Sequence, residues 1–104
     1  MRRLEARAQL VEVKSEIVRA QRLASQSEFV AAEELLETSA SRMRDIRAAL
    51  GRGESDPAFV EIVTALQDAL RAVRNRAENT RRKLQDVLSE TDSLLGTFEQ
   101  PGGG

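Results

Sequence analysis

The feature that most constrains this 104-residue sequence is a stripe of residues that recur at alternating steps of three and four between Val63 and Phe98. Such spacing places one side chain per turn on the same face of an α-helix. The stripe consists of Val63, Leu66, Leu70, Val73, Ala77, Thr80, Leu84, Val87, Thr91, Leu94 and Phe98. None of them is charged, and Asp56 followed by Pro57 is typical of a helix start. The pattern predicts a single helix over residues 57–98, about 60 Å long.

The N-terminal half is also predicted to be helical, over residues 3–24 and 28–50, but its apolar residues follow two stripes that are out of phase. The first stripe is Leu10, Val13, Ile17, Ala20 and Ala24, and the second is Phe29, Ala32, Leu36, Ser39, Met43, Ile46 and Leu50. The phase changes at residues 25–28, where Ser25 and Glu28 have the spacing of a capping box. We expect a kink or a very short break in this segment.

The clearest turn is residues 51–56, which carry two glycines and separate two long helical segments. A short connection of this kind predicts an antiparallel hairpin, in which residue i lies opposite about 107 minus i. That register sets Glu33 beside Arg74 and Glu37 beside Arg71, so that an acidic segment meets a basic one. The predicted fold class is therefore all-α: an antiparallel hairpin of long helices, or a three-helix bundle if the chain breaks at 25–28. Residues 1–98 are predicted to form one domain, and residues 99–104 a flexible tail.

The composition argues against catalysis. The chain has no Cys and no His, so we expect no disulfide, zinc site or thiol nucleophile. The usual proton carrier near neutral pH is also missing. Gly51-Arg52-Gly53 is too short for a phosphate-binding loop, and Glu33, Glu34 and Glu37 fit a solvated helix face. The sequence predicts a protein that is not an enzyme, with no catalytic residues, cofactor or metal.

Basic residues cluster on the predicted C-terminal helix, at Arg71, Arg74, Arg76, Arg81, Arg82 and Lys83. Nucleic-acid binding usually requires a net basic domain with aromatic residues for stacking. Here the net charge is −1 and no aromatic residue lies among the basic ones. We therefore expect no nucleic-acid partner. No stretch approaches the ~20 apolar residues that span a bilayer, and the N-terminus lacks the apolar region of a signal peptide, so we expect a cytoplasmic protein without a membrane partner.

Several apolar residues lie off the predicted stripes, and these favour an interaction role. They are Val18, Val30, Leu35, Ile62, Leu88 and Leu95. They widen the apolar face beyond what a two-stranded coiled coil covers. Three arrangements can cover them: a folded-back first segment, a homodimer, or a bound partner helix. We predict a partner-binding face on the last turns of the long helix, formed by Leu84, Leu88, Leu95 and Phe98.

The order of these features resembles the small bacterial flagellar export chaperones of the FlgN/FliT type. The resemblance is carried by Leu23-Ala24, Phe29, Ala32-Glu33, Leu35-Leu36, Met43, Ile46 and Leu50, followed by a short loop and a long helix that contains Asn75 and Asn79 and ends Thr97-Phe98-Glu99-Gln100-Pro101. The family often has Gly-Asp before Trp where this chain has Ser27-Glu28-Phe29, and Phe98 stands where a Tyr is common.

The resemblance implies a cytosolic chaperone that shields the amphipathic helix of a flagellar subunit before type III secretion and delivers it to the export gate. This would be helix-in-groove recognition, in which an exposed apolar stripe takes up the apolar face of a partner. The alternative is a structural coiled-coil protein that self-associates and has no export role.

Overall fold

The computed structural model describes residues 3–51 and 56–99, which form four α-helices and, within those ranges, no β-strand. The helices are α1 (Arg3–Ser25), α2 (Phe29–Ala49), α3 (Pro57–Arg74) and α4 (Thr80–Glu99). Each helix packs against two others, so that α1 contacts α2 and α4, and α3 also contacts α2 and α4. Short connections and this pairing define an up-down-up-down four-helix bundle. The all-α prediction is confirmed.

The predicted single helix over residues 57–98 is wrong, because the chain reverses at residues 75–79. The longest dimension of the molecule is accordingly 43 Å, and not the length of an unbroken 42-residue helix. The reversal covers apolar residues that a straight helix would leave exposed: Ile62, Leu88 and Leu95 are all buried. Burial of these side chains outweighs the local preference for a continuous helix, since helix propensity is a weak determinant beside tertiary packing.

The N-terminal half breaks as well, at residues 26–28, where the chain forms a short Schellman turn. Ser27 adopts a left-handed conformation with φ of 62°. Its N–H donates to the carbonyl of Ala24 at 3.0 Å, and the Glu28 N–H donates to the carbonyl of Leu23 at 2.8 Å. These two bonds satisfy carbonyl groups that would otherwise be unpaired at the end of α1. The very short break is therefore the outcome at this position.

Ser25 and Glu28 have the spacing of a capping box but do not form one. Ser25 remains in the last turn of α1, where its Oγ donates to the carbonyl of Gln21 at 2.9 Å. Glu28 is the N-cap residue of α2 and makes no side-chain capping bond. The chain reversal moves Ser25 out of the next helix and removes the geometry that a capping box requires.

The reversal between α3 and α4 is a second Schellman turn. Arg76 has φ of 48°, its N–H donates to the carbonyl of Val73 at 3.1 Å, and the Ala77 N–H donates to the carbonyl of Ala72 at 2.9 Å. The buried hydroxyl of Thr80 donates to the carbonyls of Ala77 at 2.6 Å and Ala72 at 3.2 Å. Thr80 thus ties the first residue of α4 to the end of α3.

The connection between α2 and α3 agrees with the sequence prediction at both described ends. Gly51 has φ of 72°, as the left-handed residue after a helix commonly does. Asp56 caps α3 by accepting the Ala58 N–H at 3.1 Å, and Pro57 occupies the first helical position. The rest of the predicted turn, 52–55, and the predicted tail beyond Glu99 lie outside the described residues.

The core confirms the central residues of both N-terminal stripes, whereas Ala24, Phe29 and Leu50 at their ends are only half-buried. Leu10, Val13, Ile17 and Ala20 are fully buried, and so are Ala32, Leu36, Ser39, Met43 and Ile46. In α3 the buried stripe is wider than predicted: Leu66 and Val73 are buried as expected, Ile62 and Ala69 are buried beside them, and Val63 and Leu70 are half-buried. The reason is that α3 faces two neighbours, which requires a wider stripe than a two-stranded seam.

The register predicted for the long hairpin is retained between α2 and α3, although both arms of the hairpin reverse at their middle. Arg74 Nε lies 2.6 Å from Glu33 Oε1, the predicted pair, and Arg74 Nη2 lies 2.9 Å from Glu37 Oε1. Arg74, and not the predicted Arg71, is therefore the residue that pairs with Glu37. Hydrogen bonds to Glu33 and then to Glu37 raise the pKa of Arg74 above its ordinary value.

The same register holds between α1 and α4. Lys14 Nζ lies 2.8 Å from Asp92 Oδ1, and the side-chain amide of Gln21 donates to Gln85 Oε1 at 3.4 Å. Each pair of numbers sums to 106, one less than the predicted register. The molecule is therefore a hairpin that is folded once at its middle. Among the described residues, no helix is both long and apolar enough to cross a membrane.

Candidate functional site

A groove of about 550 Å³ opens at the end of the bundle that holds both reversals. We call it the waist groove. Its apolar lining comes from Val18, Ala24, Phe29, Ala77 and Leu84, and its charged lining from Arg22, Arg76, Glu78 and Arg81. The volume falls within the range typical of pockets that bury small ligands or anchoring side chains.

The two reversals shape the groove because they bring residues from opposite halves of the chain together. The Arg76 guanidinium lies over the Phe29 ring, with its carbon 5.3 Å from the ring centroid. This is cation–π geometry, and it holds the left-handed residue of one turn against the first residue of α2. Leu84, which is only 1% exposed, lies beneath the opening.

The electrostatics of the waist groove favour an anionic ligand. Three arginines, Arg22, Arg76 and Arg81, line it together with one acid, Glu78, which gives a local charge of +2. Arginine forms bidentate bonds with carboxylates and is weakly hydrated for a cation. Val18, 38% exposed, adds an apolar patch beside these charges. The combination can receive an apolar side chain and an adjacent carboxylate at the same time.

The predicted partner-binding residues do not form an open face. Leu84, Leu88 and Leu95 are 1%, 8% and 6% exposed and belong to the core, because the fold at the waist covers them with the other helices. Leu84 alone reaches a groove lining. Phe98 lies in α4, but its side chain lies outside the described part of the structure.

Sequence reasoning missed Val18, Phe29 and Arg76 as members of one site. One signal could have found them. The hairpin register places the phase break at residues 25–28 opposite residues near 80, so both arms carry small or polar residues at the same level. When both arms of a hairpin carry small or polar residues at the same level, both can reverse there and the hairpin can bend back on itself.

A second polar cluster joins α1 to α2 and is structural. The buried Glu16 carboxylate accepts from Ser39 Oγ at 3.2 Å and from Arg42 Nε and Nη2 at 3.2 Å each. Arg42 Nη1 also donates to Gln9 Oε1 at 2.6 Å. The hydrogen bond to Glu16 raises the pKa of Arg42 above its ordinary value. All members of the cluster are paired, so it fixes α1 against α2.

An acidic hollow of about 460 Å³ lies between α3 and α4, and Glu61, Asp68, Asp86 and Glu90 contribute to it. Burial, followed by the charge of Glu61, a hydrogen bond to Glu61 and the charge of Asp86, raises the pKa of Glu90. Within residues 3–51 and 56–99, no group of three or more Cys, Asp or Glu is arranged to hold a metal ion. We therefore interpret the hollow as a helix contact at which acidic side chains crowd one another, and not as a binding site.

No protein-family model, no curated protein and no solved structure matches this chain. The candidate site therefore rests on the geometry and charge of the waist groove.

Proposed function

We propose that this protein binds other proteins and that the waist groove receives the apolar face of an acidic amphipathic helix. The observation that carries the proposal is the combination of an apolar lining with three arginines and a single acid. Helix-in-groove recognition uses a few apolar anchors, and flanking charges set the orientation of the helix.

The resemblance to flagellar export chaperones supplies the finer form of the proposal. In that form the bound helix belongs to a flagellar subunit, and the protein shields it in the cytoplasm before export. The binding surface for the helix would then be the waist groove and not the last turns of α4, since Leu88 and Leu95 are buried in the core.

A direct test uses the absence of Trp and Tyr from this chain. A synthetic amphipathic helix with leucines on one face, glutamates beside them and a single Trp would report binding through its own fluorescence. We expect saturable binding, whereas a peptide with lysine in place of each glutamate should bind at least about tenfold more weakly. Equal binding of both peptides would contradict the role given to the arginines.

Two matched substitutions locate the site. Arg81→Glu reverses a groove charge, and Arg82→Glu makes the same change at the next residue, which is exposed and does not line the groove. We expect Arg81→Glu to weaken the acidic peptide at least about tenfold, and Arg82→Glu to change its Kd less than about twofold.

A second pair tests the apolar part of the groove. Val18→Asp places a carboxylate in it, while Val11→Asp makes the same change two turns earlier on α1, where the valine is 44% exposed compared with 38% for Val18. The proposal requires that only Val18→Asp abolishes binding. Equal effects of the two substitutions would exclude the waist groove as the site.

The flagellar form is tested with peptides copied from the terminal helices of flagellar subunits of the same organism. Binding that Arg81→Glu removes would support it. Binding of the designed acidic helix without binding of any flagellar peptide would retain the groove and exclude the flagellar cargo.

A further inference from the structure

The two reversals at the waist differ from the third connection in the bundle. The α2–α3 connection has Gly51 in the left-handed position and Pro57 at the next helix start. Neither residues 26–28 nor residues 75–79 contain Gly or Pro. The left-handed positions there are held by Ser27 and Arg76. A non-glycine residue in this conformation is strained, and a helical conformation removes the strain.

The two strained turns lie side by side. Residues 76–78 of one turn line the waist groove, as do Ser25 and Phe29 on either side of the other turn, and Arg76 stacks on Phe29. If both turns straighten together, the α1–α4 pair swings away from the α2–α3 pair about this end of the bundle. The α1–α4 and α2–α3 pairs stay together, because their contacts follow the hairpin register.

The sequence permits the straightened arms. In the C-terminal arm, Val73, Ala77, Thr80 and Leu84 continue one helical stripe through the turn at steps of four, three and four. In the N-terminal arm the stripe changes phase at residues 25–28, so this arm would be a single kinked helix. Straightening therefore replaces each turn with helix while the buried stripes keep their order.

Opening exposes the surfaces through which α1 packs on α2 and α3 packs on α4. A second open copy, related by a two-fold axis through the waist, offers the same surfaces in the same orientation. The Glu16–Arg42 contact between α1 and α2 would then form between chains, as would the contact between α3 and α4. Every helix recovers its two neighbours, which is the condition for domain swapping.

We infer that two copies of this chain can exchange halves, forming a dimer of long hairpins hinged at residues 26–28 and 75–79. The closed bundle is the monomeric form. The fraction of exchanged dimer rises with protein concentration, because association depends on concentration. The exchange also removes the waist groove as it is built in the closed bundle, since the turn at residues 75–79 that lines it and the turn at residues 26–28 beside it both become helical.

The test compares two double variants that differ only at the hinges. Ser27→Ala with Arg76→Ala keeps the left-handed strain and favours straight helices, whereas Ser27→Gly with Arg76→Gly relieves the strain and disfavours helix. Both are refolded at high concentration, and their masses are measured by light scattering against the 11.5 kDa of one chain. We expect the alanine variant to dimerise at least about a hundredfold more tightly than the glycine variant. Equal dissociation constants, or monomers throughout, would overturn the inference.

Cross-linking distinguishes exchange from simple contact between two closed bundles. The chain has no cysteine, so Gln9→Cys with Asp45→Cys, which line one hollow between α1 and α2, can be joined by a short bis-maleimide across the α1–α2 contact. In the dimer fraction, exchange links the two chains covalently. Lys14→Cys with Asp92→Cys is the matched control, which should link only within one chain because the α1–α4 contact stays intramolecular. A 9–45 link confined to single chains of the dimer would refute the exchange.

Discussion

The ion pair between Glu16 and Arg42 gives the most quantitative prediction for stability. The Glu16 side chain is 9% exposed and that of Arg42 is 31% exposed. Arg42→Met keeps an unbranched apolar stem but lacks the guanidinium, so it removes both hydrogen bonds to the carboxylate and leaves Ser39 as a neutral donor. The carboxylate would then be buried with most of its pairing lost.

The expected cost follows from the burial. Removing one partner of a fully buried pair costs about 3–5 kcal/mol. Because the Arg42 side chain is partly exposed, water can reach the carboxylate from that side, and we expect a loss of roughly 2–3 kcal/mol. For a domain of this size such a loss lowers Tm by roughly 10–20 °C.

The assay is urea unfolding monitored by helical circular dichroism, with Lys14→Met as the matched control. Lys14 lies on α1, the helix that carries Glu16, and pairs with Asp92 of α4, but the two side chains are 45% and 52% exposed. Exposed pairs contribute less than about 1 kcal/mol. In a double-mutant cycle with Glu16→Gln we expect a coupling of at least about 1 kcal/mol. The reasoning fails if Arg42→Met costs no more than Lys14→Met, or if the two changes in the cycle are additive.

Three further predictions concern the turns and the acidic hollow. Gly51→Ala should cost about 1 kcal/mol in urea unfolding through backbone strain alone, since nothing lies within 4 Å of the added methyl group. Thr80→Val removes the bonds that tie α4 to α3 and should cost about 1 kcal/mol, while Thr91→Val, whose hydroxyl bonds within its own helix, should cost less. Glu90 has a raised pKa, so its protonated form favours the fold and stability falls as pH rises through that pKa. Glu90→Gln should therefore stabilise at pH 7 and flatten the pH dependence of Tm, and an unchanged profile would contradict this.

The local sequence was sufficient to predict the helical class and most of the buried faces. Most residues of the stripes in α1 and α2 were predicted correctly, because one apolar face per helix must be removed from water. The cap at Asp56 and Pro57 was also predictable, because it depends only on neighbouring residues. Charge and register predicted the Glu33–Arg74 pair, because an antiparallel hairpin fixes which residues lie opposite each other.

The tertiary structure alone decided where the chain reverses. Residues 75–79 contain no Gly or Pro, and Val73, Ala77 and Thr80 continue the stripe, so the apolar periodicity favours one long helix. The energy that bends the chain comes from burying Ile62, Leu88 and Leu95 against helices distant in sequence. For the same reason the face predicted to be open on α4 is buried, and the waist groove, which was not predicted, is exposed. A pattern within one helix shows which face is apolar, but the identity of what covers that face depends on contacts between distant parts of the chain.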